Sequence, residues 1–302
     1  MTTEVGGHFP SENRRICMKL EFNQVVKKYD GFQLNCTMKV EEGCVTGLIG
    51  RNGAGKSTAF KAALGLIRVD GGAVTLDGKD AASLSARDRE QIGVVLSESG
   101  FSSYLAIKDI VCIMKGMYKN FRKEEFLERC KRFGLPMDKQ IKEFSTGMKA
   151  KLKVLVAMSY GAKLLILDEP TAGLDVVARD EILDMLRAYM EIEGNSILIS
   201  SHSASDLEGL CDDIYMIDNG NIVLHEETNV LLDEFGVLKV TKEQYEKLDK
   251  AYVLSKKREA FGFTVLTREK QFYQENYPDI AIERAGIDQI ITLLISGTKE
   301  GV

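Results

Sequence analysis

Residues Gly50-Arg51-Asn52-Gly53-Ala54-Gly55-Lys56-Ser57, followed by Thr58, fit the pattern G-x-x-x-x-G-K-[ST] and constrain this chain more than any other stretch. The apolar run 43–49 ahead of it reads as a buried strand, and a helical stretch follows from Lys56 to about Ile67. In that strand–loop–helix setting the glycines let backbone N–H groups curl around phosphate oxygens, and the helix N-terminus adds positive potential. Lys56 is placed to reach the β- and γ-phosphates of a nucleotide, and Ser57 to hold Mg²⁺. A Gly-rich turn with a chance lysine is the bland alternative, and the strand and helix on either side weigh against it.

Leu164-Leu165-Ile166-Leu167-Asp168-Glu169-Pro170 is the second informative segment. Four apolar residues predict a buried strand whose end delivers two carboxylates. Asp168 would bind Mg²⁺ directly or through water. Glu169 would act as general base on an attacking water. Alone, the segment reads better as a buried strand with an acidic turn; behind a phosphate loop, the chemical reading prevails.

Around these segments, strands alternate with helices. Period-two alternation over 18–40 predicts antiparallel strands. Further strands are expected at 71–77, 92–96 and 196–200, and a hairpin around Asn219-Gly220. Helical spacing runs over 107–135, 146–160, 176–190 and 204–211. The pattern implies an α/β fold with a mostly parallel central sheet. Residues 1–17 read as an unstructured leader without a signal peptide, with Met18 a candidate natural start.

After Phe235 the texture changes, and residues 236–302 hold seven of the 23 Tyr and Phe residues. Thr241-Lys-Glu-Gln244 has the form of a capping box, followed by strand, strand, helix, strand, helix. A small appended α+β domain is expected there, and a chain ending near Phe235 is expected to fold and bind nucleotide without it. The tail's 11 Lys and Arg against 10 Asp and Glu are too balanced for a nucleic-acid arm.

Composition bounds the partners. Forty Lys and Arg against 45 Asp and Glu give a net charge of −5, which is not the balance of a protein that coats nucleic acid. No uncharged run reaches the ~18 residues of a membrane span. The six cysteines are scattered without a Cys-x-x-Cys pair, as expected of reduced thiols used as small core residues.

With Phe144-Ser145-Thr146-Gly147-Met148 lying between the two segments, the chain resembles the ATP-binding subunits of ABC transporters. Ser145 and Gly147 match the serine and second glycine of that family's L-S-G-G-Q signature, while Phe144, Thr146 and Met148 depart from it. Ala172-Gly-Leu-Asp175 resembles the family's D-loop, and Ser200-Ser201-His202 its switch histidine. Tyr29 stands where the family places an aromatic that stacks on adenine. His8 and His225 match nothing in it.

One departure concerns the glutamine that the family places after the strand at 92–96. Here Ser97 takes that place, next to Glu98. In the family that glutamine touches Mg²⁺ and couples the site to the membrane partner; a serine is shorter, so any such contact is expected through water. Either Glu98 partly substitutes or coupling to the membrane partner is built differently.

The resemblance covers about residues 18–235. It implies a P-loop NTPase core with an antiparallel β subdomain and a helical subdomain, ATP and Mg²⁺ as cofactors, and hydrolysis using Lys56, Glu169 and His202. It further implies a homodimer or heterodimer of ATP-binding subunits, with Ser145 and Gly147 serving the nucleotide held by the other subunit. A separate membrane permease, an export direction and a place on the cytoplasmic face of the membrane follow by the same analogy. Two rival readings are a soluble ATPase of the same superfamily acting on ribosomes or nucleic acid, and a non-hydrolysing ATP-gated regulatory module. A single phosphate loop without a long heptad run opposes the first; the presence of both Glu169 and His202 opposes the second.

Overall fold

The structure, a computed structural model, describes residues 19–98 and 100–299. The expected leader 1–17, Met18 as a start, Cys17 and His8 lie outside the described residues.

Strands β1 (Leu20–Tyr29) and β2 (Phe32–Val40) pair antiparallel, with Leu20 opposite Val40 and Tyr29 opposite Phe32. Strand β3 (Val45–Ile49), buried throughout, leads through the glycine loop into α1 (Lys56–Ala63). The helix stops short of Ile67 because Gly65 adopts φ 62°, where an added Cβ would lie 2.3 Å from the Ala81 carbonyl oxygen. Strand β4 (Gly71–Leu76) joins β1, and the short β5 (Lys79–Asp80) joins β4, both antiparallel. Helix α2 (Ala86–Arg89) precedes β6 (Ile92–Val95).

The helical pattern over 107–135 resolves into α3 (Ile107–Met117) and α4 (Lys123–Arg132). Tertiary contacts break it: Tyr118 is extended and stacks on Tyr160 at 4.0 Å, and the Arg122 amide donates to the Ser159 carbonyl. Helix α5 (Thr146–Met158), strand β7 (Leu164–Asp168), helix α6 (Val176–Met190), strand β8 (Ser196–Ser201) and helix α7 (Ser205–Glu208) follow. The α7 helix is one turn, shorter than the 204–211 expected. An antiparallel hairpin of β9 (Asp213–Asp218) and β10 (Asn221–Glu227), then α8 (Thr228–Asp233), complete this part.

These ten strands form one sheet in the order β5-β4-β1-β2-β10-β9-β3-β8-β7-β6. The half from β9 to β6 is parallel, and the half from β5 to β2 is antiparallel. In the parallel half successive residues point to opposite faces, and both faces are covered. Leu48, Leu164, Ile166 and Leu198 pack with Phe60 of α1; Ile49, Leu165, Leu167, Ile197 and Ile199 share a core with α5 and α6. Covering on both faces is why these strands read as continuous apolar runs.

The tail adds β11 (Gly236–Val240), α9 (Lys242–Lys247), β12 (Val253–Glu259), β13 (Gly262–Thr267), α10 (Lys270–Asn276), β14 (Ala281–Arg284), α11 (Ile287–Ser296) and β15 (Thr298–Lys299). Thr241 caps α9 in a capping box with Gln244. The five strands form an antiparallel sheet in the order β14-β11-β13-β12-β15. Leu238, Val240, Tyr245, Val265 and Tyr273 make a local core.

The opposite side of that sheet belongs to the main core. Val237, Leu266, Ile287, Ile290 and Leu293 pack in one cluster with Leu231, Phe235 and Leu207. A cut near Phe235 would strip one wall from the main core, which bears directly on the expectation that such a chain folds unaided. Of the cysteines, Cys36, Cys130 and Cys211 are buried and Cys112 is exposed. Burial pushes the Cys36 and Cys130 thiols up to about 12, which makes them inert packing groups.

Candidate functional site

The carboxyl ends of β3, β7 and β8 lie side by side, with Leu48 and Asp168 both in register with Ser200. Loops leaving the same edge of parallel strands converge, so this register assembles the site. Gly50 ends β3 where an added Cβ would lie 2.3 Å from the Ile217 carbonyl oxygen, and Gly55 takes φ 116°. Only glycine meets both demands. The chain then curls so that the Lys56 ammonium, 5% exposed, donates to the Gly50 carbonyl at 2.6 Å.

The carboxylates at the end of β7 play different parts. Asp168 is 1% exposed, and hydroxyls hold both its oxygens. Ser200 donates to Oδ1 at 2.7 Å, while Ser57 and Ser97 donate to Oδ2 at 2.8 and 3.0 Å. Ser200 Oγ also accepts from the Glu169 amide at 2.9 Å, so one hydroxyl locks the backbone between the two carboxylates. Glu169 itself sits at φ 52°, left-handed and strained for a residue with a side chain. That turn aims its carboxylate at Lys56 and His202. Its Oε2 lies 2.6 Å from His202 Nδ1. Its buried Oε1 has no hydrogen-bond partner among the described residues but stands 3.0 Å from Lys56 Nζ as an ion pair.

A cleft of about 450 Å³ opens over this group, lined by the loop from Arg51 to Thr58, by Ser97, Glu169, Ala172 and His202, and by Phe32. The oxygen-only set of Ser57 and Asp168 suits Mg²⁺, which takes few protein ligands and completes its shell with phosphates and water. Among the described residues no cluster of three His, Cys, Asp or Glu side chains offers a self-sufficient metal cage, so phosphate oxygens would have to share the ion.

The structure brings Arg51, Asn52, Gly53, Gly55, Lys56, Ser57, Thr58, Ser97, Glu169 and His202 to one cleft and puts Asp168 and Ala54 directly behind it. Tyr29 does not line the cleft; it is half exposed at the end of β1, with its ring 6.3 Å from Phe32. Phe32, whose ring lies 3.0 Å from where a Cβ on Gly55 would stand, is the aromatic at the cleft wall, a residue sequence reasoning missed. Ser200, named before only as part of the histidine segment, was missed as a carboxylate anchor. Its signal was a hydroxyl at the end of a buried strand.

The two residues after β6 part ways. Ser97 donates to the Asp168 carboxylate directly, because the end of β6 stands beside that of β7. Glu98 turns away, with its side chain 84% exposed and 3.6 Å from Lys61. Ser145 and Gly147 lie outside the cleft. Ser145 caps α5 by accepting from the Met148 amide, and a Cβ on Gly147 would lie 2.9 Å from Ala178 Cβ, so that glycine lets α5 approach α6. Asp175 caps α6 by accepting from the Ala178 amide at 2.8 Å. His225 stacks on Tyr215 at 3.7 Å and bonds Asp213, remote from this chemistry.

A glycine loop around a buried lysine, a hydroxyl–carboxylate metal seat and a glutamate paired with a histidine define a P-loop nucleotide hydrolase. Comparison with known proteins gives the family. The sequence profile of the ABC transporter family matches residues 34–172. The ABC transporter ATP-binding protein YtrB of Bacillus subtilis is 30% identical over 236 residues, 77% of this chain and 77% of that protein. The Nod factor export ATP-binding protein I of Rhizobium etli is 29% identical over 237 residues, 76% of this chain and 75% of that one. A solved ATP-binding subunit of an ABC transporter superposes with a TM-score of 0.63 at 26% identity, over 70% of this chain and 91% of that chain. The chain belongs to the ATP-binding proteins of ABC transporters, and its activity is ATP hydrolysis in the service of transport.

Proposed function

We propose that this chain is the motor of an exporter: two ATP-binding subunits close over two MgATP and drive a separate membrane permease from the cytoplasmic face. The observation that carries the hydrolytic part is the Glu169–His202 contact at 2.6 Å beside Lys56. Glu169 takes the proton of the attacking water, and His202 orients that carboxylate and the γ-phosphate. Lys56 and the loop amides hold the phosphates, while Ser57 and Asp168 would hold Mg²⁺, whose charge would serve to neutralise the phosphate oxygens. When ATP enters, Lys56 exchanges its Glu169 partner for phosphate, which frees the base.

The exposed position of Ser145, outside its own chain's cleft, supports its serving a second subunit's nucleotide. Among the described residues no helix is long and apolar enough to cross a membrane, which supports a separate permease. A groove of about 460 Å³ offers that permease a seat, with Leu66, Val94, Ile113 and Met117 exposed along it. The named relative that serves Nod factor export supports the outward direction. Phosphate release from MgATP by the purified chain, abolished by Glu169→Gln, tests the reading. A chain that binds ATP and releases no phosphate, alone or with its permease, would leave the regulatory module in its place.

A further inference from the structure

The single turn α7 starts three residues after His202, and it is tied on two sides. Toward the chemistry, Thr171, two residues past Glu169, donates to Asp206 Oδ2 at 2.6 Å. Arg179 of α6 lies 3.4 Å from Asp206 Oδ1. Asp206 is 4% exposed, so these ties are held in the interior. Toward the tail, α7 and α11 cap each other. The Ala204 amide donates to Asp288 Oδ1 at 3.2 Å, and the Ile287 amide donates to Glu208 Oε1 at 3.0 Å. Each helix thus supplies the carboxylate for the other's unpaired N-terminal N–H. Beneath this exchange Leu207 and Ala204 share a core with Ile287, Ile290 and Leu293. A cleft of about 380 Å³ separates the next turns of α11 from Gly50, Arg51 and His202.

We infer that the C-terminal helix α11 positions the hydrolytic pair: Asp288 and Glu208 fix the backbone behind His202, and the tail shares the motion of that segment when nucleotide binds. The inference rests on the assignment of Glu169 and His202 given above. Its physical basis is stiffness. His202 is joined to Ala204 by a single intervening residue, and the Ala204 amide is held by the tail. The Thr171 and Arg179 ties lead from the same turn to Glu169 and to α6. A displacement of α11 therefore changes the His202–Glu169 distance without touching the phosphate loop. Asp288 and Glu208 are positioning residues; neither reaches substrate.

The test uses the full-length chain. Asp288→Ala and Glu208→Ala each leave one backbone N–H without its acceptor, whereas Asp288→Asn and Glu208→Gln retain an acceptor oxygen. The alanine variants are expected to lower kcat for MgATP about tenfold while KM stays within about twofold, and the amide variants to recover most of the rate. Hydrogen exchange across residues 286–296 is expected to change when MgATP binds the parent, and to be unresponsive in the Asp288→Ala/Glu208→Ala double variant. Unchanged kcat in the alanine variants of an active parent overturns the inference, as does a lowered thermal midpoint with kcat intact. If the parent releases no phosphate, the hydrolytic reading fails by itself. The exchange measurement, which needs only ATP binding, then decides the link: no change across 286–296 overturns it.

Discussion

Replacing Glu169 by Gln separates two roles that the structure assigns to one carboxylate. Glu169 Oε1 stands 3.0 Å from Lys56 Nζ, and the two side chains are 14% and 6% exposed. Two unit charges at that distance attract by about 5 kcal/mol at an effective dielectric constant of about 20. Desolvation offsets most of this, leaving a net of roughly 1–2 kcal/mol. ATP must break that pair before Lys56 can hold a phosphate, so the net term opposes binding. Glutamine removes the charge and retains the shape. Glu169→Gln is therefore expected to bind MgATP about tenfold more tightly, since about 1.4 kcal/mol corresponds to a factor of ten. Its hydrolysis should fall by about 10²–10⁴, the usual worth of a general base. Titration with a fluorescent ATP analogue reads the first effect, phosphate release the second, and size exclusion the ATP-bound dimer expected to accumulate. Unchanged or weaker binding would refute the ion-pair argument. Hydrolysis within a few-fold of the parent would remove Glu169 from the base's role.

Ser97→Ala removes one of the two hydroxyls on Asp168 Oδ2 and should lower MgATP hydrolysis several-fold, while Glu98→Ala should leave it near the parent rate; the opposite ranking in a phosphate-release assay would overturn the geometric reading. Mixing Lys56→Ala chains with Ser145→Arg chains should yield heterodimers with one intact site and partial activity, although each parent is nearly inactive alone; a mixture that stays inactive would speak against a shared site. Ending the chain at Phe235 removes Val237, Leu266, Ile287, Ile290 and Leu293 from the main core. At about 1.5–3 kcal/mol per buried side chain this rivals the whole ~5–15 kcal/mol of a typical domain, so the truncated chain should be insoluble on expression. A soluble truncated chain with a sharp unfolding transition would show that the tail is dispensable.

The phosphate loop and the β7 carboxylates were legible in the sequence because each is a local pattern. An apolar run followed by glycines and a lysine specifies a strand, a turn and a helix start within some fifteen residues, and side-chain chemistry comes with it. His202 and Asp175 were picked out through the family resemblance, and the cap that Asp175 makes on α6 emerged only with the structure. What no local pattern carries is which strand ends lie together. Ser200 holds Asp168 and Glu169 because β7 and β8 pair with Asp168 opposite Ser200, and Ser97 reaches the same carboxylate because β6 pairs with β7. Phe32 lines the cleft because the turn after β1 folds β2 back across Gly55. The tail's dependence on the main core was hidden for the same reason. Its apolar residues alternate along their own strands and helices, and alternation records that a face is buried without recording against what. Sequence alone determined the chemistry that each segment can perform; tertiary structure decided which segments share a carboxylate, a cleft wall and a core, because those choices are made by contacts between residues far apart along the chain.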